Sequence, residues 1–295
     1  MKKKSLIKRI YGKIDRMGFL NWMSDEQYLK IAFYSAFGNR LNLKNPLTFN
    51  EKLQWIKLYD RKPEYTTLVD KKNVKDYVAA MIGKEYIIPT LGSWKYFEDI
   101  DFEKLPNQFV LKCTHDSGGI YICRDKKTFD KNKAKDVLNK SLSTNYYYQG
   151  REWPYRDVEH LILAEKYLAD NLQDYKFFCF NSVPRMILVC SERYSDGGLK
   201  EDFFDENWNH LDVERATHPN SDLKILPPHH LEEMKKLASK LSKNTYFSRI
   251  DFYEVEDKIY FGEITFFPSS GLVGFQPDEW DRKLGDWLQL PIRGE

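Results

Sequence analysis

The residues with the clearest chemical potential lie near the C-terminus, where acids and a cation recur at strand spacing: Arg249, Asp251, Glu263 and Thr265. Phe247 to Val255 and Ile259 to Phe266 read as two strands joined by Glu256, Asp257 and Lys258. A three-residue loop pairs Asp251 with Glu263 and Arg249 with Thr265, all on one face, and turns Ile250, Phe252, Ile264 and Phe266 to the core. A two-residue loop would shift the register and send the acids to opposite faces. Carboxylates directly opposed across a ladder repel. A Mg2+ ion, which prefers carboxylate and phosphate oxygens, turns that repulsion into a ligand set of Asp251 and Glu263. The plainer alternative is that Arg249 or a lysine neutralises both acids.

A second charged feature is the segment Phe109-Val-Leu-Lys-Cys-Thr-His-Asp-Ser-Gly-Gly119, which places Lys112 inside an apolar strand. A lysine there is costly unless paired. Anionic phosphates would pair it, and the loop Thr114, His115, Asp116, Ser117, Gly118 and Gly119 lets backbone N–H groups approach phosphate oxygens. The Walker pattern GxxxxGK[ST] is absent, and a Gly-Gly loop also serves as an ordinary hairpin turn. Further on, Ile162 to Leu168 ends a strand at Glu165 and Lys166, and Asp174 and Lys176 open the next. Such a strand end, leading into a linker, suits an adenine shelf in which backbone groups read the base and a following acid bonds ribose hydroxyls; otherwise Glu165 and Lys166 are a surface pair of little worth. Tyr146, Tyr147 and Tyr148, followed by Arg151-Glu-Trp-Pro-Tyr155, suit either a sugar-stacking surface or a core between lobes.

These residues need elements to hold them. Ser24-x-x-Gln27 and Thr48-x-x-Glu51 are capping-box signatures ahead of amphipathic runs, and a further helix spans about Asp70 to Ile82, ended by Gly83. Beyond it the periodicity changes to strands at Tyr86 to Pro89, Gln108 to Thr114, Ile120 to Arg124 and Leu161 to Lys166, with a helix near Asp130 to Leu142. Tyr175 to Phe180 and Pro184 to Ser191 follow as strands, then a polar stretch through Asp222, a helix over Pro228 to Leu241, the hairpin, a Pro-Ser-Ser-Gly loop and a last helix from about Pro277. Strands alternating with helices indicate an α/β or α+β fold.

A chain of 295 residues exceeds what one core usually serves, so two lobes are expected. A net charge of +2, from 46 basic and 44 acidic residues, argues against nucleic acid as partner. Cys113, Cys123, Cys179 and Cys190 form no CxxC pair and read as reduced core residues, and the six histidines show no HExxH spacing. Residues 2–16 form a basic amphipathic pattern that suits weak contact with an anionic membrane or a helix docked on the fold. No apolar run reaches the roughly 18 residues of a spanning helix, and the N-terminus lacks the apolar stretch of a secretion signal, so a cytoplasmic protein, at most at the inner membrane face, is expected.

Taken in order, the segments resemble the ATP-grasp superfamily, and most of all its TupA-like branch, linked to teichuronopeptide and surface-polysaccharide biosynthesis. The resemblance spans roughly Leu47 to Leu290 and rests on Asn45-Pro-Leu-Thr-Phe-Asn-Glu-Lys-Leu-Gln-Trp55, Leu68-Val-Asp-Lys71, the Phe109 to Gly119 segment, Arg151-Glu-Trp-Pro-Tyr155, Ala164-Glu-Lys-Tyr-Leu168, Asp174-Tyr-Lys-Phe-Phe178, Arg249-Ile-Asp-Phe-Tyr253 and Gly262-Glu-Ile-Thr-Phe-Phe-Pro268. It implies a two-lobe ATP-grasp fold with a helical N-terminal extension: 1–68 extension, 69–166 N-terminal lobe with the phosphate loop, 167–295 C-terminal lobe with the metal hairpin. It implies ATP and Mg2+ as cofactors. Lys112 and the loop Thr114 to Gly119 would contact phosphates, Glu165 with the backbone of Lys166 to Leu168 the adenine, and Asp174 the ribose. Lys176 would sit near the phosphates, Asp251 and Glu263 would bind Mg2+, and Arg249 would steady the transferred phosphoryl group. The superfamily often places Asn where this chain has Thr265, which puts metal ligation at that position in doubt.

The reaction so implied is ATP-dependent carboxylate–amine ligation through an acyl phosphate. The partners would be a small or lipid-linked sugar carboxylate, a uronic acid or amino acid, and an amine, in capsule, O-antigen or cell-wall polysaccharide assembly. The rival reading is a glycosyltransferase using Asp99-Ile-Asp101 as a DxD metal motif for a nucleotide sugar, although no glycine-rich nucleotide loop adjoins it.

Overall fold

A computed structural model describes residues 2–170, 172–191, 198–215 and 217–291, with side chains from residue 9 onward. Its helices are α1 Lys2–Arg16, α2 Asp25–Phe37, α3 Phe49–Tyr59, α4 Glu64–Val69, α5 Val74–Met81, α6 Lys131–Leu142, α7 Leu231–Leu241 and α8 Glu279–Trp287. Its strands are β1 Thr90–Trp94, β2 Phe109–Cys113, β3 Ile120–Cys123, β4 Ile162–Lys166, β5 Asp174–Phe180, β6 Val183–Ser191, β7 Lys200–Asp205, β8 Glu214–Arg215, β9 Phe247–Val255, β10 Lys258–Thr265 and β11 Phe275–Gln276.

The first four strands form a sheet in the order β1-β4-β2-β3, antiparallel throughout. Helix α6, capped by the Asp130 carboxylate accepting from the Lys133 N–H at 2.9 Å, packs over β2 and β3. Its Ala134 and Leu138 meet Phe109, Leu111 and Cys113 to form a small core.

A second antiparallel sheet runs β10-β9-β5-β6-β7. Helix α7 covers one face. On the other, Phe49 of α3 packs against Phe178, Phe180 and Phe247. Helix α3 starts with a complete capping box at Thr48 and Glu51. Helices α2 to α5 contribute to the same large core as this sheet. Register puts Lys176 opposite Asp251, Phe178 opposite Arg249 and Phe180 opposite Phe247. The face under α3 therefore changes along its length from aromatic to charged, and the charged end is left for the site.

Local signals explain most elements, and the exceptions have physical causes. Tyr86 to Pro89 is not a strand: Lys84–Tyr86 is a 3-10 turn, and pairing starts only at Thr90, after the proline that lacks an N–H. The helix expected from Asp70 begins at Val74, because the Asp70 carboxylate accepts from the Lys72 and Asn73 N–H groups and holds the chain in a turn first. The polar stretch through Asp222 contains β7 and β8, since Glu201 and Asp202 are buried acids that hide the strand periodicity. The four cysteines are buried, and Cys113, Cys123 and Cys179 are free thiols.

The hairpin of β9 and β10 reaches the expected pairing by another route. Its loop has two residues, Glu256 and Asp257, both at positive φ, so that Lys258 pairs with Val255. Alone, that would turn the acids apart. Gly262 is an extra residue between Phe261, opposite Phe252, and Glu263, opposite Asp251. This bulge restores the register, with Thr265 opposite Arg249. A Cβ at Gly262 would lie 3.1 Å from the Asp251 carbonyl oxygen and from Tyr253.

Candidate functional site

The charged end of the large sheet is built from neighbouring strands. The Arg249 Nε and one terminal nitrogen donate to the two Asp251 oxygens at 2.7 Å each, and the same terminal nitrogen donates to Glu263 at 2.7 Å and to the Thr265 hydroxyl at 3.1 Å. Lys176, on the adjacent strand, bridges Asp251 and Asp174, the latter at 2.6 Å. Asp251 is almost fully buried, whereas the Glu263 side chain keeps 32% exposure, so the pair opens to solvent on the Glu263 side. Burial pushes the Asp251 carboxyl up, while Arg249 and Lys176 favour its charged form. Burial would also raise Glu263, but Arg249, Lys176, Lys71 and Lys112 together hold it down at about 2. Arg249 thus meets both acids, as the plainer sequence alternative had it. The pairing also shows that this spot holds a cation between two hard oxygen donors, the donor chemistry Mg2+ takes.

The small sheet supplies the opposing charges. Lys112 of β2 and Lys75 of α5 each reach the buried Glu165 carboxylate of β4 at 2.5 Å. Lys75 also donates to the Ile88 carbonyl at 2.8 Å and the Thr90 hydroxyl at 2.7 Å. Burial would raise Glu165, yet the two ammonium groups hold it below the usual carboxylate range. Lys71 donates to the Asp116 carbonyl, and burial lowers its pKa against the pull of Glu263 and Asp116. Lys112 of the small sheet and Lys71 of the turn before α5 therefore act on Glu263 of the large sheet.

The loop after β2 is pinned rather than open along its whole length. The Asp116 carboxylate accepts from the Gly119 N–H at 2.9 Å and from the Ser141 hydroxyl. A Cβ at Gly119 would collide with Ser141, so the glycine is required by packing. Ser117 donates to the Tyr146 hydroxyl at 3.1 Å, and Gly118 has open space around its Cα. Thr114 and His115 have buried side chains committed to the fold: Thr114 donates to the Glu159 carbonyl at 2.6 Å, and His115 stacks on His160 with ring centroids 3.6 Å apart. Their contribution to a ligand is limited to backbone atoms. Lys166 is exposed, and Tyr167 and Leu168 lie half-buried in the link between β4 and β5.

The aromatic run does not offer a sugar-stacking surface through Arg151-Glu-Trp-Pro-Tyr155, because all five residues are buried. Arg151, 1% exposed, lies over the rings of Tyr28, Tyr147 and Tyr148 with Asp25 3.6 Å from its Nε, so the rings and this carboxylate offset the burial of its charge while Nε and one terminal nitrogen make no hydrogen bond. Glu152 faces the site instead. It accepts from Ser270, and burial raises its carboxyl to about 7 against the pull of Lys57 and Arg249. Ser269 and Ser270 both adopt positive φ, and Arg215 donates to Ser269 at 2.5 Å. Sequence reasoning missed Lys71, Lys75 and Glu152. The signal for the lysines was their spacing from Asp70 across the first turn of a helix, whereas nothing local marks Glu152. Asp99 and Asp101 lie at a 3-10 turn beside the small core, where Asp101 pairs with Lys104 at 3.0 Å, and they meet no part of this cluster.

A TupA-like ATP-grasp family model matches residues 51–289. The chain belongs to that family. Its fold is the ATP-grasp ligase fold, a mixed helix and sheet architecture, and ATP-grasp enzymes use ATP, typically with Mg2+. No curated protein matches the chain. Solved structures similar to it include the D-alanine–D-alanine ligase of Bacillus anthracis complexed with ATP, at 16% identity over 68% of this chain and 53% of that one, with a TM-score of 0.40. The D-alanine–D-alanine ligase of Helicobacter pylori is 16% identical over 82% and 69%, with a TM-score of 0.44, and the N5-carboxyaminoimidazole synthetase of Staphylococcus aureus is 16% identical over 68% and 44%, at 0.38. The TupA-like chain spans about half the length of the B. anthracis ligase.

Proposed function

We propose that this TupA-like ATP-grasp protein is an ADP-forming carboxylate–amine ligase that forms an amide on a uronic acid or amino acid during surface-polysaccharide assembly. The observation that carries the reading is the paired acids Asp251 and Glu263 on one face of a bulged hairpin, with Lys112 of the small sheet, Lys176 and Arg249 of the large sheet and Lys71 of the turn before α5 acting on Glu263. Mg-ATP, when bound, supplies the phosphoryl group that converts a carboxylate into an acyl phosphate open to attack by an amine. Asp251 and Glu263 would hold the metal, which would supply Lewis-acid stabilisation of phosphoryl charge, and the guanidinium of Arg249, now on both acids, would be in place to meet phosphoryl oxygens. Lys112 and Lys176, each already beside an acid, neutralise phosphate charge in a partly desolvated cleft. The linker of Lys166, Tyr167 and Leu168 borders the adenine, Glu165 orients the two lysines beside it, and Asp174 faces the ribose. The loop Thr114 to Gly119 would cover the phosphates through the backbone N–H groups of its middle, His115 to Gly118, since those of Thr114 and Gly119 go to the Leu161 carbonyl and the Asp116 carboxylate.

The test is ADP release with hydroxylamine as acceptor, which traps an acyl phosphate as a hydroxamate, over a panel of uronic acids and amino acids. Asp251→Asn and Glu263→Gln should each abolish ADP release and hydroxamate while leaving the fold intact, with a single cooperative melting transition that Asp251→Asn lowers by several degrees because Arg249 and Lys176 lose a buried partner. Wild-type turnover in either variant would sink the assignment. A thermal response to nucleotide sugars with Mn2+ and none to Mg-ATP would favour the glycosyltransferase instead.

A further inference from the structure

Outside the cleft, the N-terminal face shows an arrangement that packing does not explain. Along α1, Tyr11 and Asp15 turn toward the fold: the Tyr11 ring centroid lies 6.3 Å from that of Tyr28, and the Tyr28 hydroxyl donates to Asp15 at 3.0 Å. Ile10, Ile14 and Met17, spaced i, i+4 and i+7, form a stripe on another side of the helix and are 51%, 37% and 60% exposed. Arg9, Lys13 and Arg16 are exposed alongside that stripe. Asp15, the one acid in the sequence of this helix, is thus turned inward, and among the described residues its outer face carries positive charge beside apolar side chains.

The apolar surface continues past the helix. In the turn that follows, Phe19 is 61% and Trp22 80% exposed. This turn is not a loose end. The buried Arg151 guanidinium donates to the carbonyls of Leu20 at 2.9 Å, Asn21 at 3.3 Å and Met23 at 3.4 Å. A buried cation that satisfies these carbonyls fixes the turn, and the fixed turn holds Phe19 and Trp22 in solvent.

We propose that residues 9–22 form a docking face for an anionic phospholipid bilayer, with α1 lying in the plane of the interface. Ile10, Ile14, Met17, Phe19 and Trp22 would enter the boundary between headgroups and acyl chains, and Arg9, Lys13 and Arg16 would meet lipid phosphates. Charge complementarity selects this occupant: an amphipathic helix with a basic polar face followed by an aromatic pair matches the interfacial pattern, and a Trp is favoured at headgroup depth. The face is separate from the nucleotide cleft, so the proposal stands or falls independently of the ligase reading. If that reading holds as well, the cleft would be carried to a membrane surface where lipid-linked acceptors lie.

Co-sedimentation of the full chain with vesicles tests it. Vesicles of phosphatidylcholine containing phosphatidylglycerol should bind the chain about tenfold or more better than phosphatidylcholine alone, with binding weakened by salt. Phe19→Ser with Trp22→Ser should remove binding, and Lys13→Glu with Arg16→Glu should remove the preference for the anionic lipid. Tryptophan quenching by brominated lipid should be lost in Trp22→Ser. Melting curves of these surface variants should match wild type, and Mg-ATP should shift them as it shifts wild type. Absence of binding, equal binding to both vesicle types, or binding that survives both double substitutions would overturn the proposal. So would a concentration-dependent dimer dispersed by the Phe19 and Trp22 substitutions, which would make the face a self-association surface.

Discussion

Glu165→Gln offers the most direct test of how the cleft is held together. The Glu165 side chain is 5% exposed and meets Lys75 and Lys112 at 2.5 Å each, with those lysines only 13% and 15% exposed. Removing one partner of a buried ion pair costs about 3–5 kcal/mol, because the remaining charge stays desolvated and unpaired. Glutamine keeps the volume and one acceptor, so the lower end applies: about 3 kcal/mol, or a fall in Tm of roughly 5 °C for a chain of 295 residues. The folded pKa of Glu165 lies below its ordinary 4.5, so its stabilisation is present above that pH and is lost as pH falls through the folded value. The gap in Tm between wild type and Glu165→Gln should therefore be full at neutral pH and close as the solution is acidified below pH 4.5. Mg-ATP provides a second arm. If Lys112 and Lys75 serve nucleotide phosphates and the adenine edge, an anionic ligand replaces the missing carboxylate in part, and the thermal shift caused by Mg-ATP should be larger in the variant. Differential scanning fluorimetry across pH, with and without nucleotide, measures both. A Tm within about 2 °C of wild type, or a gap that does not change with pH, would refute the description of Glu165 as the charge joining α5 to the small sheet.

Glu152 gives the opposite sign. Its pKa is raised from 4.5 to about 7, so the stability its protonated form contributes is full below pH 4.5 and is lost as pH rises through about 7. With Lys57 offsetting part of the burial cost, urea titrations should show wild type losing roughly 2 kcal/mol relative to Glu152→Gln between about pH 5 and about pH 8, and parallel curves would contradict the burial argument. Gly119→Ala places a Cβ against Ser141 and Cys113 and should cost about 1–3 kcal/mol, read as a lower Tm, with weaker Mg-ATP stabilisation because the loop must shift. Arg151→Met should remove a donor from the carbonyls of Leu20, Asn21 and Met23, of which Leu20 keeps the Met23 N–H, and lower stability by about 1–3 kcal/mol, with vesicle binding lost to a greater extent than nucleotide binding.

Much of the molecule was legible because the signals are local. Thr48 and Glu51 name their own capping box, and the alternation in Phe247 to Val255 fixes which residues of that strand share a face, whatever pairs with it. The likeness of short segments, each with its own spacing, placed Lys112, Glu165, Asp174, Lys176, Arg249, Asp251 and Glu263 in one family pattern, and the structure brings these residues to adjacent surfaces of the two sheets.

The acids return to the feature on which the site depends. Residue types and alternation alone determined that Asp251 and Glu263 belong to polar faces of their strands. Whether the two faces coincide was decided by the fold, since a two-residue loop and an extra residue at Gly262 act together, and neither is specified by periodicity. The partners were decided there too. Lys71, Lys75 and Glu152 lie far along the chain from the acids and cations they influence, and Coulomb interactions depend on separation in space, which sequence distance does not supply. The burial of Arg151 to Tyr155 follows the same rule: in sequence the run suits a sugar-stacking surface or a core between lobes, and the fold decides for the core by gathering the rings of Tyr28, Tyr147 and Tyr148 around the guanidinium.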